Sequence, residues 1–270
     1  MTLLNRMAVL DITETNDSFL TFNTRLIFDI IKDEYSYSNK GIIHIFNLTE
    51  NSRSFLESES IIYNLKTGYQ NTVLKSLFLS KRATGNSLKS MRKGPDVITS
   101  VELGDGEEAL QATISMSYKG RVNSDEILRR CLQALRENGI PLGYQSEIES
   151  RFFNNGFTAL GTIRDVLNHL AILCNFEWSI QDGEIFILNE LDTRPSPIEI
   201  NEMTGLKNTV VKSSSRAEFT SFINPDLQVG RQVNLTSAIA GRVVLRLTRI
   251  HHKGDSWGGH WSSYCEGILL

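Results

Sequence analysis

Phe176-Glu177-Trp178-Ser179-Ile180-Gln181-Asp182-Gly183-Glu184-Ile185-Phe186-Ile187-Leu188 holds the sharpest local signal in the chain. Two short runs rich in β-branched and aromatic residues flank Asp182-Gly183, a pair that accepts positive φ at low cost and so closes a tight hairpin. Immediately upstream the period changes from two to about 3.6. After Gly161-Thr162, the residues Ile163, Val166, Leu167, Leu170 and Cys174 share one helical face, which predicts an amphipathic helix running into the hairpin. An earlier helix opens at Ser124, carries Leu128, Cys131, Leu132 and Leu135 at i, i+3, i+4 and i+7, and stops at Asn138-Gly139. The middle of the chain is therefore α/β.

Both flanks read as β. Residues 22–30 alternate, with Phe22, Leu26, Phe28 and Ile30 on one side, and residues 41–48 follow the turn-prone Ser38-Asn39-Lys40-Gly41 as the antiparallel partner. Asn51 or Ser52 is the expected cap of a short helix reaching Glu57. Further strands are expected at 61–69, 76–81 and 96–103, with turns at Thr84-Gly85-Asn86 and Lys93-Gly94-Pro95-Asp96. Arg194-Pro195-Ser196-Pro197 marks a boundary, because prolines so close together neither continue a helix nor sit in a central strand. Beyond it, strands are expected at 232–236, 242–252 and 260–268, with turns at Asn224-Pro225-Asp226 and Lys253-Gly254-Asp255-Ser256. The order is β, α/β, β, with divisions at 118/119 and 195/196.

At 270 residues the chain is long enough for one large or several small cores, and 40% hydrophobic with 22% charged residues is ordinary for a globular protein. A formal charge of -3 argues against a protein built mainly to grip phosphates. No apolar run is long enough to span a bilayer, and the opening turns polar too soon for a secretory signal, so cytoplasmic synthesis without membrane insertion is expected. Cys131, Cys174 and Cys265 are odd in number and far apart, which suits buried free thiols better than a disulfide framework or a zinc site.

The chemistry-bearing groups do not converge. His251, His252 and His260 with Asp255 invite a metal reading, but adjacent strand residues point to opposite faces, and solvent-facing or rim histidines are expected instead. Glu107, Glu108, Glu147 and Glu149 are the carboxylates a glycosidase pair would draw on, yet they lie in polar stretches that read as solvated faces. Lys81, Arg82, Lys89, Arg92 and Lys93 surround a Gly/Ser/Asn-rich connection, expected to be a solvated loop or a contact patch. Trp257 and Trp261 flank Gly258-Gly259 and are either core or interface anchors. No catalytic, cofactor-binding or metal-binding residue is assigned, and no cofactor is expected.

Order and spacing across the chain resemble the baseplate hub proteins of bacteriophage tails, the gp27-like or tail protein D-like family. The matching segments are 45–53 (IFNLTENSR), Gly68-Tyr69, Gly104-Asp105-Gly106-Glu107, Ile114-Ser115-Met116-Ser117-Tyr118 and the helix from Ser124. They continue with Gly161-Thr162-Ile163-Arg164-Asp165-Val166-Leu167, the Trp178-Ser179 and Asp182-Gly183 hairpin, Thr204-Gly205-Leu206, residues 224–230 and residues 252–261. Two departures stand out: Lys207-Asn208-Thr209 replaces a small apolar-Gly-x-Pro turn, and the strand at 76–81 lacks a glycine. The resemblance implies two tube-like β-barrel domains (1–118 and 196–270) flanking a small α/β domain (119–195). It also implies a homotrimer whose barrels make a pseudo-sixfold ring between a sixfold tail tube and a threefold central spike.

The expected partners are thus further copies of the chain, the tail tube protein, the central spike protein, the tape-measure protein and other baseplate proteins. DNA is expected only in transit, the location being the virion tail, assembled in the bacterial host cytoplasm. Lys81, Arg82, Lys89, Arg92, Lys93 and Trp257 are the candidate interface residues of this non-enzymatic structural protein. The competing readings are another ring-forming tail component, either a distal tail protein or a secretion-spike hub, and a tail-associated cell-wall hydrolase.

Overall fold

The computed structural model describes residues 5–14, 18–34, 39–58, 61–83, 87–189, 192–211 and 213–270. The expected turn at Thr84-Gly85-Asn86 lies outside them, as does Ser38. The first stretch forms β1 (Arg6–Glu14), β2 (Phe19–Phe22), β3 (Leu26–Asp33), β4 (Lys40–Phe46), α1 (Glu50–Phe55), β5 (Ile61–Tyr69), β6 (Lys75–Arg82), β7 (Leu88–Lys93) and β8 (Asp96–Gly104). The middle contributes α2 (Glu107–Gln111), β9 (Thr113–Tyr118), β10 (Val122–Asn123), α3 (Ser124–Glu137), β11 (Leu142–Gln145), β12 (Phe152–Phe153), β13 (Phe157–Thr162), α4 (Ile163–Cys174), β14 (Phe176–Gln181) and β15 (Glu184–Asn189). The last stretch forms β16 (Arg194–Ile200), β17 (Leu206–Val211), β18 (Arg216–Ser221), β19 (Arg231–Ser237), β20 (Gly241–Asp255) and β21 (Trp261–Leu269). The chain is mainly β.

Two compact units emerge. One comprises the residues up to Asp33, Asn39–Asp105 and Pro195–Leu270; the other contains Gly106–Arg194. This grouping differs from the three-part division read from the sequence: the two β-rich flanks share a unit, and α2 and β9 go with the middle segment. The cause is a pairing no local pattern announces, β20 against β3, from Arg249↔Asp33 to Asp255↔Ile27.

The Gly106–Arg194 unit follows the local sequence signals closely. In α3, Ile127, Leu128, Cys131 and Leu135 face inward, and in α4 Ile163, Val166, Leu167, Leu170 and Cys174 do so, all in one core with Trp178, Ile180, Ile185 and Ile187. Each of the aliphatic side chains among them contributes about 1.5–3 kcal/mol on burial. Thr162 caps α4, its hydroxyl accepting from the Asp165 backbone N–H at 3.1 Å and donating to the Asp165 carboxylate at 2.7 Å. Asn175 ends the helix in the left-handed conformation, φ 52°. β14 and β15 pair antiparallel through the Asp182-Gly183 turn, and β11 adds parallel to β15.

In the larger unit, fourteen strands form one branched sheet, ordered β17-β18-β21-β20-β3-β4-β8-β6-β5-β1-β2, with β7 added to β8, β19 to β20 and β16 to β19. Its strands contribute to two separate apolar clusters. Leu10, Phe28, Ile30, Ile43, Tyr63 and Phe78 belong to one, and Phe219, Val233, Leu235, Leu245, Leu247 and Cys265 to the other. β20, 15 residues long and about 50 Å at strand rise, links the two: Leu245, Leu247 and Ile250 sit in the second cluster, while its far end pairs with β3 of the first.

Several local expectations need correction. Phe22 belongs to β2, not to the strand beginning at Leu26. Thr49, rather than Asn51 or Ser52, caps α1, accepting from the Ser52 N–H at 3.2 Å. Lys253, Gly254 and Asp255 continue β20 instead of turning. The sheet accepts Gly254 because Phe28 lies over it; a Cβ there would stand 2.2 Å from the ring. Pro195 and Pro197 lie on β16, which pairs only with β19 among the described strands, as edge prolines do.

Candidate functional site

Lys89, Arg92 and Lys93 fall on a strand, not in a loop as expected. β7 pairs with β8 from Leu88↔Val101 to Lys93↔Asp96, closed by Gly94-Pro95 with Gly94 at φ 62°. From Lys89 to Lys93 every residue is exposed on both faces, including Met91 at 62%. β7 has no second neighbour among the described strands. A basic edge strand of this kind resists indiscriminate pairing while leaving a row of backbone donors and acceptors for a chosen partner. Lys81 and Arg82 lie apart from it on β6, where Arg82 donates to the Leu56 carbonyl at 3.1 Å. The five-residue basic cluster of the sequence is thus split between two strands.

Beside this arm runs a groove of about 510 Å³ lined by Arg25, Phe46, Met91, Lys93, Asp96 and Ile98 among others. Arg25 stacks 4.8 Å over the Phe46 ring and holds Asp255 through two hydrogen bonds, 3.3 Å from Nε and 2.7 Å from Nη2. Burial alone would raise the Asp255 carboxyl pKa. The Arg25 bonds and the backbone N–H groups of Trp257 and Gly258 outweigh it and hold the carboxyl below its usual range. The same contacts stiffen the connection between β20 and β21: Trp257 N–H reaches Asp255 Oδ1 at 3.0 Å, and Ser256 exchanges hydrogen bonds with Leu26 at 2.9 and 3.0 Å.

Trp257 stands on that stiffened loop 75% exposed, whereas Trp261 is buried, with Phe28 and Tyr69 edge-on to its ring at 5.8 and 6.4 Å. The two readings of this tryptophan pair therefore divide between its members. A large aromatic held in place before contact loses little freedom on binding, the property that makes tryptophan an interface anchor. Sequence reasoning found Trp257, Lys93 and Arg92 but missed Arg25, Phe46 and Met91. Their only sequence signal is a cation or apolar residue on or beside a strand, which is too common to single out.

The remaining candidates disperse. His252 is fully buried, contrary to the rim position expected; it lies on β20 where both edges of the strand are paired, to β3 and to β21, in the interior of the sheet. Its Nδ1 lies 2.8 Å from Ser263 Oγ. His251 faces the other way, 2.5 Å from Asp29, and His260 is exposed. Among the described residues no group of three His, Cys, Asp or Glu side chains is placed to hold a metal. Glu107 and Glu108 start α2, and Glu149 lies 3.8 Å from Arg151 on an exposed segment. All three cysteines are buried and free; burial pushes the Cys131 thiol up to about 12 and that of Cys265 higher still. No described helix is long and apolar enough to cross a membrane.

No family model and no curated protein matches the sequence. Solved structures do match in fold. The tail protein from Neisseria meningitidis MC58 superposes with a TM-score of 0.63 at 9% identity, covering 97% of this chain and 96% of that one. The 43 kDa tail protein of prophage MuSo2 from Shewanella oneidensis gives 0.65 at 9% identity, with 97% of each chain covered. An Escherichia coli component of the type VI secretion system, described as structurally similar to the T4 tail proteins gp27 and gp5, gives 0.60 at 13% identity over 92% of this chain and 74% of that one. The chain thus has the fold found in phage tail and secretion-spike proteins.

Proposed function

We propose that this chain is a structural hub of a phage-type tail. Three copies form a ring joining a sixfold tube to a threefold spike, around a channel through which DNA passes without tight binding. The observation that carries this is the pair of separate apolar clusters inside one branched sheet: each chain supplies two β modules, one per cluster, so three chains present six. The resemblance to tail proteins in fold supports it. On this reading the β7–β8 arm and the Trp257 loop are contacts to neighbouring copies or to tube and spike proteins, and the chain carries no catalytic role.

Native mass measurement with electron-microscope class averages across a concentration series tests it. A threefold ring with an open centre is expected; a strict monomer at every concentration, alone and with tube and spike proteins, rejects it. The secretion-spike alternative is kept by the likeness to the type VI component and is separated by which spike protein co-purifies. Release of labelled peptidoglycan fragments would replace both readings with the hydrolase.

A further inference from the structure

A second groove, of about 520 Å³, opens beside the base of the Trp257 loop, at Gly259 and Trp261. Arg6 and Lys207 line it together with Tyr69, Phe222, Trp261 and Met203. Arg6 lies 5.8 Å over the Trp261 ring, and Lys207 lies 4.4 Å over that of Phe222. Both cations are braced from behind. One guanidinium nitrogen of Arg6 donates to the Gly259 carbonyl at 3.2 Å and approaches that of His260 at 3.5 Å, and Lys207 Nζ reaches Ser262 Oγ at 2.7 Å and the Trp261 carbonyl at 3.3 Å.

Neither cation forms an ion pair with a carboxylate among the described residues. Glu202, the acid on the rim, is engaged with the Ala238 N–H at 2.9 Å. Two cations are thus held on one concave wall without a neutralising partner, and each lowers the cost of bringing an anion to the other. Around them the wall is mixed: Met203, 83% exposed, and Phe222, 40% exposed, supply its apolar surface, and Asn5 and Glu202 its polar part.

We propose that this groove receives an extended polypeptide segment carrying a carboxylate next to an apolar side chain, the carboxylate lying between Arg6 and Lys207 and the apolar group on Met203 and Phe222. The aromatic and thioether walls favour a peptide over a bare phosphate chain, and braced donors suit a carboxylate because little side-chain freedom is lost on contact. Lys207 fits the same picture, since burial first and the nearby Arg6 second lower its pKa, a strain that a bound anion relieves.

The test uses the full chain and fluorescein-labelled hexapeptides with Asp or Glu flanked by Phe or Ile, read by fluorescence anisotropy. Each is compared with its Asn or Gln counterpart and with a single-stranded oligodeoxynucleotide. Acidic peptides should bind about tenfold or more tightly than their amide counterparts, weaken as salt rises, and lose about tenfold in the doubly substituted Arg6→Gln/Lys207→Gln chain. Equal binding of acid and amide peptides, tighter binding of the oligonucleotide, or no binding up to millimolar peptide each overturns the proposal. The acid-against-amide comparison needs no variant, so it stands even if the substituted chain fails to fold.

Discussion

At the scale of single residues, the cluster around Phe28 depends on one close contact that leaves no room for change. Gly254 is the slot into which Phe28 packs, and Phe28 in turn supports Trp261. Gly254→Ala should cost about 2–3 kcal/mol, read as a shift of the urea midpoint without a change in slope, because an overpacked site must move either the ring or the strand. His252 sets a pH dependence. Burial, and then the nearby Lys32 and His251, depress its pKa from 6.5 to about 3, so the unfolded chain takes up the proton first. Stability is full above about pH 6.5 and falls as pH drops toward 3, by about 2 kcal/mol at pH 5. His44, also depressed by burial, adds in the same direction, so the measurement compares urea unfolding of wild type and His252→Gln between pH 7 and 5; the variant should show the shallower slope. The fate of His252 was not legible in the sequence, since alternation separates it from His251 but does not say which of the two faces inward.

At the scale of elements, legibility tracks how local the determining contacts are. Helix α4 and the β14–β15 hairpin fold as their periodicity and Asp-Gly turn predict, because cap, apolar stripe and turn all lie within thirty residues or so of one another. Thr162→Ala should therefore cost about 1 kcal/mol and be rescued by Thr162→Ser, as a thermal-melt comparison would show. β7 escaped notice for the opposite reason: its run Leu-Lys-Ser-Met-Arg-Lys has no buried face, so no alternation exists to find. That exposure makes it testable. Reversing Lys89, Arg92 and Lys93 to Glu should change stability by no more than about 0.5 kcal/mol, yet shift the fraction of assembled particles seen by native mass; unchanged assembly would remove the arm from the proposed contacts.

At the scale of the whole molecule, composition and the order of β, α/β and β segments anticipated a mainly β protein with an α/β portion. They did not anticipate that the two flanks share a sheet. Arg25 and Asp255, whose bridge helps fix the Trp257 loop, stand 230 residues apart, a separation that leaves no trace in any window of sequence. That distance matters during synthesis. The ribosome delivers β3 long before β20, and at about 5–20 residues per second the wait is on the order of ten seconds to a minute. Throughout it, one edge of β3 has no neighbour and the ring of Phe28 has no slot to enter. The nascent chain thus spends that wait as an open sheet, and β20 acts as the latch: a chain stalled or cut within β20 would offer other copies the same open edge that its pairing with β3 hides.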